Sequence, residues 1–249
     1  MKQVKTQIIC TLGPASSTHS VLLKMVRAGM DVVRLNFSHG THESHLKSIR
    51  LIRQINAKYH RRIKILQDLE GFRIRIGHLT NWPNQVVPLR KHQKVLLSNN
   101  PKCFKSGVIP FDYEGALNVI KPVNRIYIDD GNIALLVKSH TKNYLQAVVE
   151  VPGVVKEHKG INIPDAKLRF SGITDKDRCD LLFGIHHAVD FVAQSFVRTP
   201  QDVLDVKKIL LRHRSDAQVI AKIESREAVG NINGILSACD GIMIARGDL

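Results

Sequence analysis

Aromatic residues are scarce in this chain, at 5% of 249 residues with a single Trp. So few flat rings argue against a surface built to stack nucleic-acid bases. The four cysteines, Cys10, Cys103, Cys179 and Cys239, stand far apart and form no CxxC pair. That excludes a disulfide scaffold and predicts reduced, mostly buried thiols in a cytoplasmic protein. No apolar run approaches the roughly 18 residues of a membrane span. The opening MKQVKTQIICTLG has too short an apolar stretch for a secretory leader. Glycine-rich phosphate loops of the GxGxxG or P-loop type are missing. Acidic residues are the minority, 22 against 37 Lys and Arg, for a formal net charge of +15. Such an excess favours an anionic partner, either nucleic acid or a small phosphorylated ligand. The densest basic runs, Lys47–Lys64 and Lys207–Arg214, fall on expected helices and read as solvated faces. What the chain has is apolar material, 43% of residues, enough for a core.

Strands and helices alternate at both ends of the chain. Expected strands cover Gln7–Thr11, Asp31–Asn36, Ile63–Asp68, Val189–Phe196, Gln218–Glu224 and Gly241–Arg246. Between them, a helix carries Leu22, Met25 and Val26 inward and closes at Gly29. A second, over residues 42–59, turns Leu46, Ile49, Ile52 and Ile55 inward. Thr174 with Asp177 opens a helix bearing Leu181, Leu182 and Ile185. Thr199 and Pro200 open the next one, and Ser225 caps a helix running to about Ala238. Strict alternation predicts parallel βα units. Residues 77–163 differ: short alternating runs separated by turns, with Asp130-Gly131 marking a hairpin. They read as a β-rich domain inserted after the third strand, leaving 1–76 and 164–249 as an α/β domain.

The apolar strands end in polar residues: Thr11, then Arg34, Asn36, Ser38 and His39, then Asp68, then Ser195 and Arg198, then Lys222 and Glu224, then Arg246 and Asp248. Polar tips at one end of parallel strands are what a (β/α) barrel needs at its catalytic face. Glu224 and Asp248 are hard oxygen ligands suited to Mg²⁺ or Mn²⁺. Lys222, two residues before Glu224, shares its strand face and suits a transferring phosphoryl group or an enolate oxygen. Arg34 and Arg75 can grip phosphate by their planar forks. His39, His42 and His45 are three apart, but read as loop and helix-start residues rather than a metal cluster.

These segments resemble the pyruvate kinase family. The likeness is carried by TLGPAS (11–16), RLNFSHG (34–40), QDLEGFRIRIG (67–77), IYIDDG (126–131), KGINIP (159–164), SFVR (195–198), KIE (222–224) and GIMIARGDL (241–249). The resemblance implies a TIM-type barrel of which six of eight strands are here, with a small antiparallel β-barrel inserted after strand three. It implies phosphoryl transfer from phosphoenolpyruvate to ADP, giving pyruvate and ATP in glycolysis. It places Lys222 and Arg34 as catalytic, and Ala245, Arg246, Gly247 and Ser195 at the substrate. Glu224 and Asp248 are implied as ligands of Mg²⁺ or Mn²⁺. Pro14, Asn36, His39, Arg75 and Asp129 fall on the nucleotide side. Asn36, Ser38, Asp68 and the Leu69 carbonyl match a potassium site.

Leu69 and Arg73 stand where potassium-dependent members carry Thr and Glu. The expectation is that the Arg73 guanidinium supplies the charge of K⁺, so that K⁺ is not required. Phe72 replaces a Pro, and Ser44 replaces an aromatic on the nucleotide side. The sequence stops at Leu249, before the last two βα units and the C-terminal domain that the resemblance implies. It therefore reads as a fragment, a broken gene or half of a two-chain enzyme. By itself it is expected to turn over little, and to oligomerise or take up a complementing chain. Two other functions fit parts of the pattern. One is a metal-dependent lyase or aldolase acting through pyruvate enolate. The other is a non-catalytic basic remnant that binds a partner or nucleic acid, which the low aromatic content disfavours.

Overall fold

The computed structural model describes residues 6–164, 166, 168 and 173–245. In chain order the strands are β1 Ile9–Thr11, β2 Val32–Asn36 and β3 Lys64–Asp68, then β4 Val86–Leu89, β5 Lys94–Ser98, β6 Val108–Pro110 and β7 Arg125–Ile128. They continue as β8 Ile133–His140, β9 Leu145–Val151, β10 Gly153–Lys156, β11 Ile161–Asn162, β12 Phe191–Gln194, β13 Gln218–Ile223 and β14 Gly241–Ile244. The α-helices are α1 His19–Arg27, α2 His42–Tyr59, α3 Asp175–His186, α4 Pro200–Arg212, α5 Arg226–Gly230 and α6 Ile232–Ala238. Two compact units emerge. One comprises Met1–Gly71, Gly172–Ile223 and Asn231–Ile244; the other comprises Phe72–Ser171, Glu224–Gly230 and Ala245–Leu249.

The first unit is an α/β fold, an incomplete TIM-type barrel. Its sheet runs β1-β2-β3-β12-β13-β14, every pair parallel, each strand beside its sequence neighbour except where β3 pairs with β12. Val32, Leu66 and Ala193 form a buried cluster with Phe191, Ile220 and Met243 packed on it. These side chains come from β2, β3, β12, β13 and β14, in the manner of an interior barrel layer. The central strand β3 is buried almost throughout, whereas the edge strands β1 and β14 are not. Ile9 is 48% exposed and Ile244 is 56% exposed. The caps follow sequence chemistry. Thr41 and Thr199 each form a reciprocal capping box, and Thr174 accepts from the Asp177 N–H. Gly29, at φ 105°, lies just past the Ala28 C-cap of α1.

Several expectations change. The helix after Ser225 breaks in two at Asn231, whose amide donates to the Arg198 carbonyl at 2.9 Å. Gly230 and Asn231 are both weak helix formers, so an external partner wins there. Leu182 of α3 faces outward; Asp177, Asp180, Leu181 and Gly184 are the buried residues. His45 is buried and belongs to the packed face of α2, while Leu46 is only half-buried. None of the four free cysteines is fully buried, and Cys179 is exposed.

The second unit holds a ladder in the order β11-β7-β8-β9-β5-β6, antiparallel except for the parallel β5–β6 pair, and a separate β4–β10 pair. The entering segment links the two ends of that ladder. Arg75 bridges to Gly160, next to β11, and Ile76 bridges to Phe111, next to β6. A large apolar cluster that includes Ile76, Leu97, Phe111, Leu135 and Val149 fills the interior. The β7–β8 hairpin turns through Asp129, Asp130 and Gly131, all in the left-handed region. The turn spans four residues rather than the two that Asp130-Gly131 suggests. Among the described residues no helix is long and apolar enough to cross a membrane.

Candidate active site

Polar residues at the C-terminal ends of the barrel strands form one connected chain. Arg34 on β2 donates from Nε to the Asp68 carboxylate at 2.6 Å, and its terminal nitrogen lies 2.5 Å from the same oxygen. Its other terminal nitrogen donates to the Thr11 hydroxyl of β1 at 2.8 Å. The second Asp68 oxygen lies 3.2 Å from the Lys222 ammonium of β13. That ammonium donates to Ser195 Oγ at 2.6 Å, and Ser195 donates in turn to the Leu69 carbonyl at 2.7 Å. Asp68 is 1% exposed and the Lys222 side chain 12%. Two cations, Arg34 and Lys222, thus flank one buried carboxylate. The approach of chains at this point requires Gly71. It sits at φ 71°, and a Cβ there would come within 2.7 Å of Ser195 Cβ.

A second network holds the loop between β2 and α2. The Asn36 side-chain oxygen accepts from the Ser38 N–H at 3.1 Å, and His39 N–H donates to the Asn36 carbonyl at 3.2 Å. Lys176 of α3 donates to the Phe37 carbonyl and to Asp180, both at 2.7 Å, and lies 3.3 Å from Glu70. Burial presses the Lys176 amine down, but Asp180 and Glu70 outweigh it and raise the amine above its usual value. His42 completes the network, 2.6 Å from Asp180. His45 stacks on Phe37 at 4.1 Å and hydrogen bonds to the His39 carbonyl at 2.9 Å. That bond makes its ring nitrogen a donor.

Burial pushes the His45 imidazole below its ordinary 6.5, against the pull of the His39 carbonyl and Asp180. The unfolded chain, with its histidine near 6.5, therefore takes up a proton before the folded one does. Stability is expected to fall as pH drops below about 6.5, and His45→Gln to flatten that fall. Urea midpoints of both proteins between about pH 7 and pH 5 measure it.

The remaining expected residues lie as follows. Pro14 opens a short 3-10 turn after β1. Glu224 directly follows β13 and is 4% exposed. Ala245 directly follows β14, while Arg246, Gly247 and Asp248 lie outside the described residues. In the β-unit, Arg75 donates to the His158 carbonyl at 3.2 Å and its N–H to Asp112 at 2.5 Å. Burial pushes the Asp112 carboxyl up. Asp129 pairs with Lys159 at 2.7 Å, and that hydrogen bond holds its carboxyl below the usual range. Arg73 pairs with Asp130 at 2.7 Å and lies against Gly160.

Lys222, Arg34, Asp68, Ser195 and the Leu69 carbonyl are thus brought together. Sequence reasoning missed Thr11 as a partner of Arg34, and Lys176, Asp180 and His42 as supports of the 36–39 loop. The buried acids of α3, spaced Asp177 and Asp180 on one helix face, were the available signal.

Residues 3–249 match the family model described as pyruvate kinase, barrel domain. A pyruvate kinase of Thermococcus litoralis is 43% identical over 245 residues, covering 98% of this chain and 51% of that protein. One of Geobacillus stearothermophilus is 42% identical over 248 residues, and one of Staphylococcus epidermidis is 40% identical over 247; each covers 98% of this chain and 42% of the relative. The chain spans about half, or less, of the length of these relatives.

Proposed function

The chain belongs to the pyruvate kinase family, and from that premise we propose that its barrel unit handles the phosphoenolpyruvate end of phosphoryl transfer to ADP. The observation that carries the proposal is the Thr11–Arg34–Asp68–Lys222–Ser195 chain at the strand tips. In this reading Asp68 fixes Arg34 and Lys222 in position. The Lys222 ammonium, steadied by Asp68 and Ser195, donates to the oxygen on which charge builds as the phosphoryl group leaves. The Arg34 guanidinium faces the phosphoryl oxygens. Glu224, a buried carboxylate, together with Asp248 by sequence, offers the hard oxygen donors that fit Mg²⁺ or Mn²⁺. That ion would supply positive charge to the enolate and phosphoryl oxygens.

Ser195, Ala245, Arg246 and Gly247 are proposed at the substrate, and Pro14, Asn36, His39, Arg75 and Asp129 at the nucleotide. We further propose that K⁺ is dispensable; Arg73, the residue expected to supply its charge, pairs instead with Asp130, and the cationic partners of Asp68 are Arg34 and Lys222. A cytoplasmic place in glycolysis follows from this activity. The domain division into 1–76 with 164–249, and 77–163 as an inserted lid, is part of the same proposal.

The test is pyruvate formation from phosphoenolpyruvate and ADP. It compares the chain alone with the chain completed by the remainder of a full-length relative. ADP-dependent pyruvate formation is expected in the completed form, and little in the chain alone. It is expected to persist when tetramethylammonium replaces K⁺. Oxo-acid cleavage without ADP would favour a lyase instead.

A further inference from the structure

A second cluster of metal-ligating groups lies wholly inside the β-unit, and the proposed reaction makes no use of it. His78 Nδ1 and His158 Nε2 stand 3.7 Å and 4.0 Å from the same Glu157 oxygen. Those separations are too long for hydrogen bonds. One ligand atom from each residue lies within 4.8 Å of the other two, so the three face a common space. The two rings meet edge to face, with centroids 4.9 Å apart. Among the described residues, no other three His, Cys, Asp or Glu side chains bring ligand atoms so close together.

The cluster is partly built in advance. The other Glu157 oxygen accepts from the Leu79 N–H at 2.5 Å, which fixes the orientation of the carboxylate. His158 sits in the left-handed region at φ 61°, an uncommon conformation for histidine. Its N–H donates to the Ile76 carbonyl at 2.9 Å, and its own carbonyl accepts from Arg75 at 3.2 Å. The two imidazoles are largely exposed, so small rotamer changes can bring their nitrogens to bonding distance of one ion.

We propose that His78, Glu157 and His158 form a binding site for a borderline divalent ion of the Zn²⁺ class. Two imidazoles and one carboxylate are the donor set that Zn²⁺ accepts, with water in the fourth position. Mg²⁺, which prefers oxygen donors in an octahedral array, is a poor match. The ion would staple the segment by which the chain enters the β-unit, around residues 76–79, to the segment by which it leaves, around 157–161. The same segments carry the Ile76–His158 and Ile74–Ile161 hydrogen bonds.

The experiment is titration of the untagged chain with Zn²⁺, and with Co²⁺ for its visible d–d band, in excess Mg²⁺ to occupy the oxygen-rich carboxylates. One equivalent is expected, with a raised melting temperature. Glu157→Gln and the double variant His78→Ala/His158→Ala should each lose more than about tenfold in affinity and the melting shift with it. Both variants lie outside the proposed catalytic groups, so a loss of binding leaves the Lys222 chemistry untouched. Binding that is absent, or equally tight in both variants, would overturn the proposal.

Discussion

Lys222→Ala is expected to lower turnover of phosphoenolpyruvate and ADP by about 10²–10³-fold in the completed enzyme, with kcat falling more than KM rises. The ammonium is held by two fixed partners, Asp68 at 3.2 Å and Ser195 at 2.6 Å. Its position therefore costs no reorganisation when charge develops on the substrate. A group prepared in this way contributes chiefly in the transition state, which is why the loss should appear in kcat. Lys222→Arg keeps the charge but not the point-like ammonium, so it should rescue little of the rate. Coupled pyruvate release measures all three proteins. Near-normal kcat in the alanine variant would remove Lys222 from the chemistry.

Asp68→Ala should destabilise the barrel unit by about 3–5 kcal/mol. Asp68 is almost wholly buried and is the counter-charge of both Arg34 and Lys222. Without it, two cations with little access to solvent face one another across a cavity. If lost charge rather than lost volume is the cause, Asp68→Asn should cost nearly as much. Urea unfolding of the two variants decides this. A loss below about 1 kcal/mol in both would mean that solvent reaches the pair freely, as at an exposed ion pair.

Much of this site was legible before any coordinates. Apolar runs ending in Arg34, Asp68, Ser195 and Lys222 gave both the strands and the end at which they converge, because parallel strands share a direction. Helix starts at Thr174 and Thr199 were legible because those residues cap by local chemistry, whereas the Thr41 capping box was not read from the sequence. What escaped was set by non-local partners. Ser195 bonds a backbone carbonyl, Leu69, which no side-chain pattern can reveal. The His45 burial depends on where Phe37 packs, and the break at Asn231 depends on a carbonyl at Arg198. The His78, Glu157 and His158 cluster is divided across nearly the whole insertion and carries no metal-ligand spacing.

The pairing of β3 with β12 has a kinetic consequence. Leu66 lies opposite Phe191, and the Phe72–Ser171 stretch of the β-unit intervenes in sequence between them. Closing so long a loop in an unfolded chain is slow, since contacts of high sequence separation must await the entropy of closure. The Ile74–Ile161 and Arg75–Gly160 contacts shorten that path: once the insertion has folded, its two ends emerge side by side. Refolding is therefore expected to be ordered in time, with the insertion protected from hydrogen exchange before the parallel sheet that closes across it. On a ribosome, too, the insertion is complete before β12 has been made.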